Sequence, residues 1–482
     1  MKKIIISRLF LYKHRFGIVY TLLALAFIGL LFLIPLIAPA GLSEAEMESV
    51  VTSNHTNLNT IMNGDIVDLP YHILQKYSIR FLGLHPYAIK LPSIIIGLFL
   101  GVLLIVLLNR WFKNNVAIIA SILAVLSSNF LYLTSSGTPL IMLVFWPTLL
   151  LWLGSKIQGK TAPKPIWCFI FGFFLLLSIL TPYLIYLAGL IVIFVLASPH
   201  LRFTVKSLPK IPLILTGLII LAGIGLVGYI SLQHTSTLIT LTFMPDFSWP
   251  NYLHNLSTAF LPFFSWHGNI ESTFLSPLIG LASLALALTG LFSTAKGFFA
   301  SRNSIASFLI VYTVIISGFF PNAAILLILP LAILIAHGIR YILNKWYKLF
   351  PENPYARVFA IIPISIFLGL IIVSDISHFI FGYRYNPPVA REFNNDLVLI
   401  ERNVGGDTIL LIPGGTLEYD FYKILEQHTN LTVTSNLPEA ITSSHIASLG
   451  KWPTDLELKL EEIITSSKSE NSDRIYIYTA NN

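Results

Sequence analysis

GLSEAEMESV at residues 41–50 and HPYAIKLPS at residues 85–93 bracket the stretch whose reading decides the fold. The stretch lies between two apolar runs, each long enough to cross a bilayer, and carries five acids, Glu44, Glu46, Glu48, Asp65 and Asp68. The apolar remainder of the first 381 residues carries very few. After Gly41-Leu42-Ser43 come the acidic cluster, a polar stretch and, from Asp68-Leu69-Pro70, an amphipathic segment. Within it Ile73, Leu74, Tyr77 and Phe81 fall at helical spacing, with Gln75, Lys76, Ser78 and Arg80 on the other face. A helix of that kind lies in the membrane interface, half in lipid, and does not span it.

The composition agrees. Of 482 residues 55% are hydrophobic and only 11% charged, with a mean hydropathy of +0.76, whereas a soluble chain has about a quarter of its residues charged. A net charge of +7 would point a soluble protein toward nucleic acid. Here no nucleic acid is expected, because the positive charge gathers in loops between apolar runs. The single cysteine, Cys168, lies inside an apolar run, so neither an intrachain disulfide nor a thiol metal site is implied.

At about twenty apolar residues per crossing, spans are predicted near 17–37, 89–109, 115–134, 138–154, 166–180, 183–198, 211–232, 274–293, 304–320, 323–343 and 357–377, about eleven in all. Lys156, Lys160 and Lys164 precede the run 167–197, and Arg202, Lys206 and Lys210 follow it. If both flanks stay in the cytoplasm, the run must cross twice, broken at Thr181-Pro182. The same logic breaks 304–343 at Pro321-Asn322, between Arg302 and Arg340. The expected topology is N-terminus inside and C-terminus outside. Ala38-Pro39-Ala40 imitates a signal-peptidase site, but the apolar run before it exceeds the usual length of about 7–15 residues, so it is read as an uncleaved first span.

The expected organisation is therefore a transmembrane domain over 1–381, with a first extracytoplasmic loop at 41–88 and a long outer loop at 233–273. A soluble extracytoplasmic domain follows over 382–482. There 408–413 (TILLIP), 431–435 and 474–479 (RIYIYT) read as strands, and 417–427 and 456–466 as helices, a small α/β unit. Ile412-Pro413-Gly414-Gly415 lacks the spacing of a phosphate-binding glycine loop and reads as a tight turn.

The layout of residues 41–93 resembles the first extracytoplasmic loop of the GT-C membrane glycosyltransferases, in the branch of the protein O-mannosyltransferases and aminoarabinose transferases. That pattern runs from the first span to an acid, a Pro-containing interfacial helix, Phe-Gly, and an Arg-Leu-Pro-Ser that opens the second span. Here Glu44/Glu46, Leu69-Pro70-Tyr71, Leu82-Gly83 and Lys90-Leu91-Pro92-Ser93 stand at those places. The resemblance implies a GT-C-like, all-α polytopic membrane protein. It also implies transfer, with inversion, of a monosaccharide from a polyprenyl-phosphate carrier to a lipid, glycan or protein acceptor outside the cytoplasm. The compact loops and the lack of organelle signals suggest a prokaryotic plasma membrane, whose lipids are the remaining partners.

Such a transfer needs a carboxylate to take the acceptor's proton and cations or hydrogen-bond donors for the departing phosphate. Glu46 is the expected base, with Glu44 second; on a helix the two point about 200 degrees apart, so only one faces a cavity. The plainer alternative is an acidic helix start with Ser43 as N-cap. Lys90 stands where the family has Arg, to meet a phosphate or pair with the acid. Lys76 and Arg80 lie four apart and suit lipid headgroups. His254 and His267, in the aromatic outer loop, are further phosphate donors to consider. No cofactor is expected and no metal-ligand spacing is present, although a divalent metal at the phosphate stays open.

The turn 133–139 (LTSSGTP) departs from the family, in which many relatives carry an Arg and a second Asp near it. That departure keeps a non-catalytic scaffold of the same fold in view. A lipid-linked glycan flippase is the other alternative, but the predicted spans are nearly free of charge and show no matched broken halves.

Overall fold

In the computed structural model, helices occupy every apolar run. The structure describes residues 10–39, 41–157, 164–242, 248–264, 275, 277–295, 301–349, 354–390, 392–404, 408–436, 445–451, 458–465 and 474–480. The first span is α1 (Phe10–Ile37), and the first loop folds as α2 (Glu44–His55), α3 (Leu58–Met62) and α4 (Leu69–Leu82). Then come α5 (Pro86–Trp111), α6 (Asn114–Val125), α7 (Ser128–Ser135), α8 (Met142–Ile157), α9 (Lys164–Ile179), α10 (Leu184–Ala197), α11 (Pro199–Lys206) and α12 (Lys210–Gln233). The second half holds α13 (Thr235–Thr242), α14 (Trp249–Phe260), α15 (Leu281–Ala295), α16 (Ser301–Ser317), α17 (Ile328–Leu349) and α18 (Pro354–Tyr385).

An apolar helix stands at each of the eleven predicted places. Among the described residues, five helical stretches are long and apolar enough to cross a membrane singly: 86–111, 139–157, 210–233, 321–349 and 362–385. The pair α6 and α7, bent by 62° at Leu126-Ser127, makes a sixth if counted as one span. The remaining apolar helices are shorter. Both predicted breaks are real: α9 ends at Ile179 and α10 begins at Leu184, and a 3-10 turn over Pro321–Leu327 separates α16 from α17. The described parts of the outer loop 233–273 are helical, as α13 and α14.

After α18 the chain forms α19 (Pro387–Ala390), α20 (Asp396–Asn403) and α21 (Leu417–Glu426) with a five-stranded sheet of order β2-β1-β3-β5-β4. The strands are β1 (Thr408–Leu411), β2 (Thr432–Thr434), β3 (His445–Leu449), β4 (Leu458–Thr465) and β5 (Arg474–Ala480). The first three pair in parallel, while β5 runs antiparallel to β3 and β4. Residues 458–465 thus form an edge strand, not the helix predicted over 456–466. Leu, Glu and Lys favour a helix there, but pairing along β5 overrides that preference, and Leu456, Leu458 and Leu460 already alternate as a strand requires. The unit is a mixed sheet, and β3 has no counterpart in the sequence reading.

This C-terminal unit is not a separate body hanging from the membrane helices. Leu42, Met47, Val50, Ile79, Leu84 and Ile89 share one apolar core with Leu397, Phe421, Leu425 and Ile477. The first loop is therefore sandwiched between the membrane helices and the C-terminal unit.

Candidate active site

Ser43 begins α2 as a complete capping box: its hydroxyl accepts from the Glu46 N–H at 3.3 Å, and its own N–H donates to Glu46 Oε2 at 2.8 Å. The capping role predicted for Ser43 is borne out, but the helix start is not solvated. Glu46 is fully buried, whereas Glu44, on the other side of α2, is exposed. Of the two acids only Glu46 faces inward.

Four other elements meet at Glu46. Its Oε1 accepts from the Gly137 N–H at 2.6 Å and lies 3.9 Å from Lys90 Nζ. Lys90, also buried, donates to the carbonyls of Pro39 (3.1 Å) and Gly41 (2.9 Å). The turn that carries no charge in sequence thus supplies a backbone donor in place of a cation. Gly41 has φ +106°, and a Cβ there would stand 2.4 Å from the Asn394 carbonyl oxygen. Leu42 and Asn394 exchange backbone hydrogen bonds of 2.8 and 2.7 Å, which brings the segment after α18 to the site. Tyr132 stacks on Tyr383 at 4.7 Å, and Tyr383 meets Phe393 edge-on. Glu392 is exposed, and partial burial raises its carboxyl above the usual range.

Beneath Gly137 lies a buried polar network. Gln75 Nε2 donates to the Gly137 carbonyl at 2.8 Å and to that of Ile89 at 3.2 Å. Its Oε1 can only accept, so the hydroxyls of Ser49 and Ser53 both donate to it, at 2.8 and 2.6 Å. The Ser53 proton is then committed, and His72 Nδ1, 2.8 Å from Ser53 Oγ, is the donor of that pair. Burial keeps His72 neutral, its pKa pushed down to about 4. The amphipathic helix α4 therefore turns Tyr71, His72, Gln75 and Ile79 into the protein. Ile73, Leu74, Tyr77 and Phe81 form its exposed stripe, the side a bilayer would take. Gln75 lies on the face opposite that stripe, as the spacing predicts, and that face is turned into the protein.

The other predicted site residues fall elsewhere. Lys76 donates to the carbonyls of Asn54 and Thr56 at the C-terminal end of α2, a favourable place for a cation against the helix dipole. Arg80 is exposed in the last turn of α4, and His254 is exposed on α14. His267 lies outside the described residues. Among the described residues no three His, Cys, Asp or Glu side chains are grouped to hold a metal ion.

One buried acid was not singled out from the sequence. Asp68, which precedes α4, has a left-handed backbone (φ +46°). Its N–H donates to the Leu180 carbonyl at 2.8 Å. Trp146 Nε1 donates to Thr181 Oγ1 at 3.1 Å, so the Thr181 proton is free for the Asp68 carboxyl. Burial raises that carboxyl to about 7, against the bond from Thr181, and Oδ1 has no partner among the described residues. Tyr183, three residues on from Leu180, is the only other non-glycine residue with positive φ among those described, at +67°. Strained residues of this kind gather at ligand clamps and active sites. The one sequence signal for Asp68 was an acid immediately before a Leu-Pro helix start.

The family described as dolichyl-phosphate-mannose-protein mannosyltransferase matches residues 71–225. The solved structure of ArnT from Cupriavidus metallidurans in the apo state superimposes with a TM-score of 0.55 at 12% identity, covering 96% of this chain and 98% of that one. The same protein bound to undecaprenyl phosphate gives 0.53 at 11% identity, over 95% and 98% of the two chains. At such identity the likeness is one of fold, a GT-C-like one that extends along nearly the whole chain. No curated protein sequence matches this one.

Proposed function

We propose that this chain is an integral-membrane glycosyltransferase that moves a monosaccharide from a polyprenyl-phosphate carrier to an acceptor on the extracytoplasmic face. The observation that carries the reading is the buried Glu46–Lys90 pair at the start of α5, closed over by the first loop, the Gly137 turn and the segment after α18. The undecaprenyl phosphate held by the solved ArnT structure supports the donor class. In this reading the helices cross eleven times, with the N-terminus cytoplasmic and the C-terminal unit outside, in a plasma membrane of prokaryotic type.

In the transfer the acceptor hydroxyl attacks the anomeric carbon, the bond from that carbon to the phosphate oxygen breaks, and the configuration inverts. The hydroxyl proton passes to a carboxylate and the phosphate leaves with the electron pair. Glu46 is the base in this reading, and Lys90 balances the phosphate charge once it lets go of a carbonyl. The site is closed around Glu46, and the Gly137 N–H on Oε1 holds the carboxylate in position. A second assignment of the base rests on exposure. Glu392 adjoins Phe393, which packs on Tyr383, and is open to solvent, which would leave Glu46 as the fixed charge that positions Lys90 and Gly137.

Sugar transfer from labelled polyprenyl-phosphate hexose in membranes, with donor binding measured separately, separates these roles. Loss of transfer in Glu46→Gln but not in Glu392→Gln or Glu44→Gln, with donor still bound, is the expected result for Glu46 as base. The reverse pattern assigns the base to Glu392. Donor binding without transfer in the wild type would make the chain a scaffold, and neither binding nor transfer would sink the enzyme reading.

A further inference from the structure

A cavity of about 350 Å³ lies among α8, α9, α10, α11, α12 and α16. Its lining is almost wholly apolar, with Trp111, Leu201, Val205 and Leu309 among the side chains that face it. Gly154 and Gly217 also line it, and a Cβ added to either would meet nothing within 4 Å. The space is therefore wide enough to take side chains that the sequence does not place there. It is also far from Glu46. Lys90 and Trp111 stand at opposite ends of α5, about 30 Å apart at 1.5 Å per residue, roughly the thickness of a bilayer's hydrocarbon core.

The rim is cationic. Arg202 follows the lining residue Leu201 and Lys206 follows Val205, while Lys156 Nζ stands over the rings of Trp152 and Trp167, which are not part of the lining. Lys210 opens α12, and Arg202, Lys206 and Lys210 are all exposed. The short helix α11 thus turns Leu201, Thr204 and Val205 to the cavity and its cations outward. No Asp or Glu occurs anywhere between Asp68 and Asp246, nor within 301–317, so none of the elements that line the cavity carries an acid of its own. An apolar slot with an uncompensated basic rim fits one class of occupant.

We propose that this cavity is a second lipid site, which takes an acyl chain of an anionic phospholipid and holds its phosphate among Arg202, Lys206 and Lys210. That the phosphate end is the cytoplasmic one rests on the topology given above; the site itself does not. Lipid chains are as apolar as leucine, so a chain fills the slot without loss, and the headgroup supplies the missing negative charge.

The full-length protein, reconstituted in phosphatidylcholine vesicles with and without phosphatidylglycerol, tests this. Thermal midpoint and phospholipid retained in native mass spectrometry are the two readouts. The wild type is expected to retain phosphatidylglycerol and to melt several degrees higher in its presence. Gly154→Leu with Gly217→Leu fills the cavity and should abolish retention while melting no lower than wild type in phosphatidylcholine. Arg202→Gln, Lys206→Gln and Lys210→Gln together should lose the phosphatidylglycerol shift but keep the phosphatidylcholine midpoint. Equal wild-type midpoints in the two vesicles with no retained phospholipid would overturn the proposal. So would a shift given by undecaprenyl phosphate and not by phosphatidylglycerol, which would hand the cavity to the sugar carrier. Neither readout depends on sugar transfer, so the two readings fail independently.

Discussion

Lys90 Nζ stands 3.9 Å from Glu46 Oε1, both side chains wholly buried, yet its shorter contacts go to the Pro39 and Gly41 carbonyls at 3.1 and 2.9 Å. The cation is shared between a carboxylate and the chain that leads into α2. Removing one member of a buried pair leaves the other charged and uncompensated, which costs about 3–5 kcal/mol. Lys90→Met is therefore expected to lower the unfolding midpoint sharply in detergent. Lys90→Met combined with Glu46→Leu should regain much of that stability and no sugar transfer. Equal midpoints for wild type and Lys90→Met would show that the pair is not coupled.

Gly137 is gripped from both sides, by Glu46 on its N–H and by Gln75 on its carbonyl. A Cβ there would lie 2.6 Å from Ile89 Cγ2 and 3.3 Å from Glu46 Oε1. Gly137→Ala must therefore push the turn away from α5, and the N–H is the contact that opens. Transfer is expected to fall by at least tenfold, about 1.4 kcal/mol of barrier, while the protein still folds and binds donor. Unchanged transfer would mean that the turn is only a lid support.

Much of this arrangement could be read from the chain, and the reason for the rest is physical. Hydropathy located the apolar helices because each run must satisfy its backbone internally in lipid. That only one of Glu44 and Glu46 could turn inward followed from helical spacing; that it is Glu46 did not. The Gly137 N–H, the Leu42–Asn394 bridge and Glu392 could not be read that way. Each joins segments far apart in sequence through backbone atoms or an unremarkable acid, and no local pattern marks them. Spacing put Gln75 opposite the apolar stripe of α4, but its partners could not be read: the first loop folds back, and Ser49, Ser53 and Gly137 satisfy it inside.

Asp68 sets a pH dependence. Its carboxyl is raised to about 7 by burial, so between pH 4 and 7 the folded protein binds a proton that the unfolded chain has released. Stability from this group is thus complete in acid and is lost as pH rises through 7. His72 acts oppositely in almost the same range, because its depressed pKa removes stability as pH falls from about 6.5 toward 4. The variant Asp68→Asn separates them. Asn tolerates φ +46° and can still accept from Thr181, and it has no proton to lose. The difference in midpoint, Asp68→Asn minus wild type, is expected to grow as pH goes from 5 to 8. A flat difference would show that Asp68 does not titrate in that range.

Gly41 joins the three parts of the site. Its carbonyl accepts from Lys90, its neighbour Leu42 bridges to Asn394, and its φ of +106° is one that side chains rarely adopt. In Gly41→Ala a Cβ would sit 2.4 Å from the Asn394 oxygen and 2.8 Å from Asn395 Oδ1. The Asn395 side chain can swing away but the Asn394 carbonyl is backbone and cannot, so the Leu42–Asn394 bridge has to part. The C-terminal unit would then lose its backbone tie to the first loop, keeping only the apolar contact of Met47 and Val50 with Phe421 and its neighbours. Exposure of the segment around 392–396 to protease is expected to rise, and sugar transfer to fall with it. Gly41→Ala with wild-type protease resistance and wild-type transfer would show that the apolar contact alone closes the site, leaving Glu392 free to move without consequence for the chemistry.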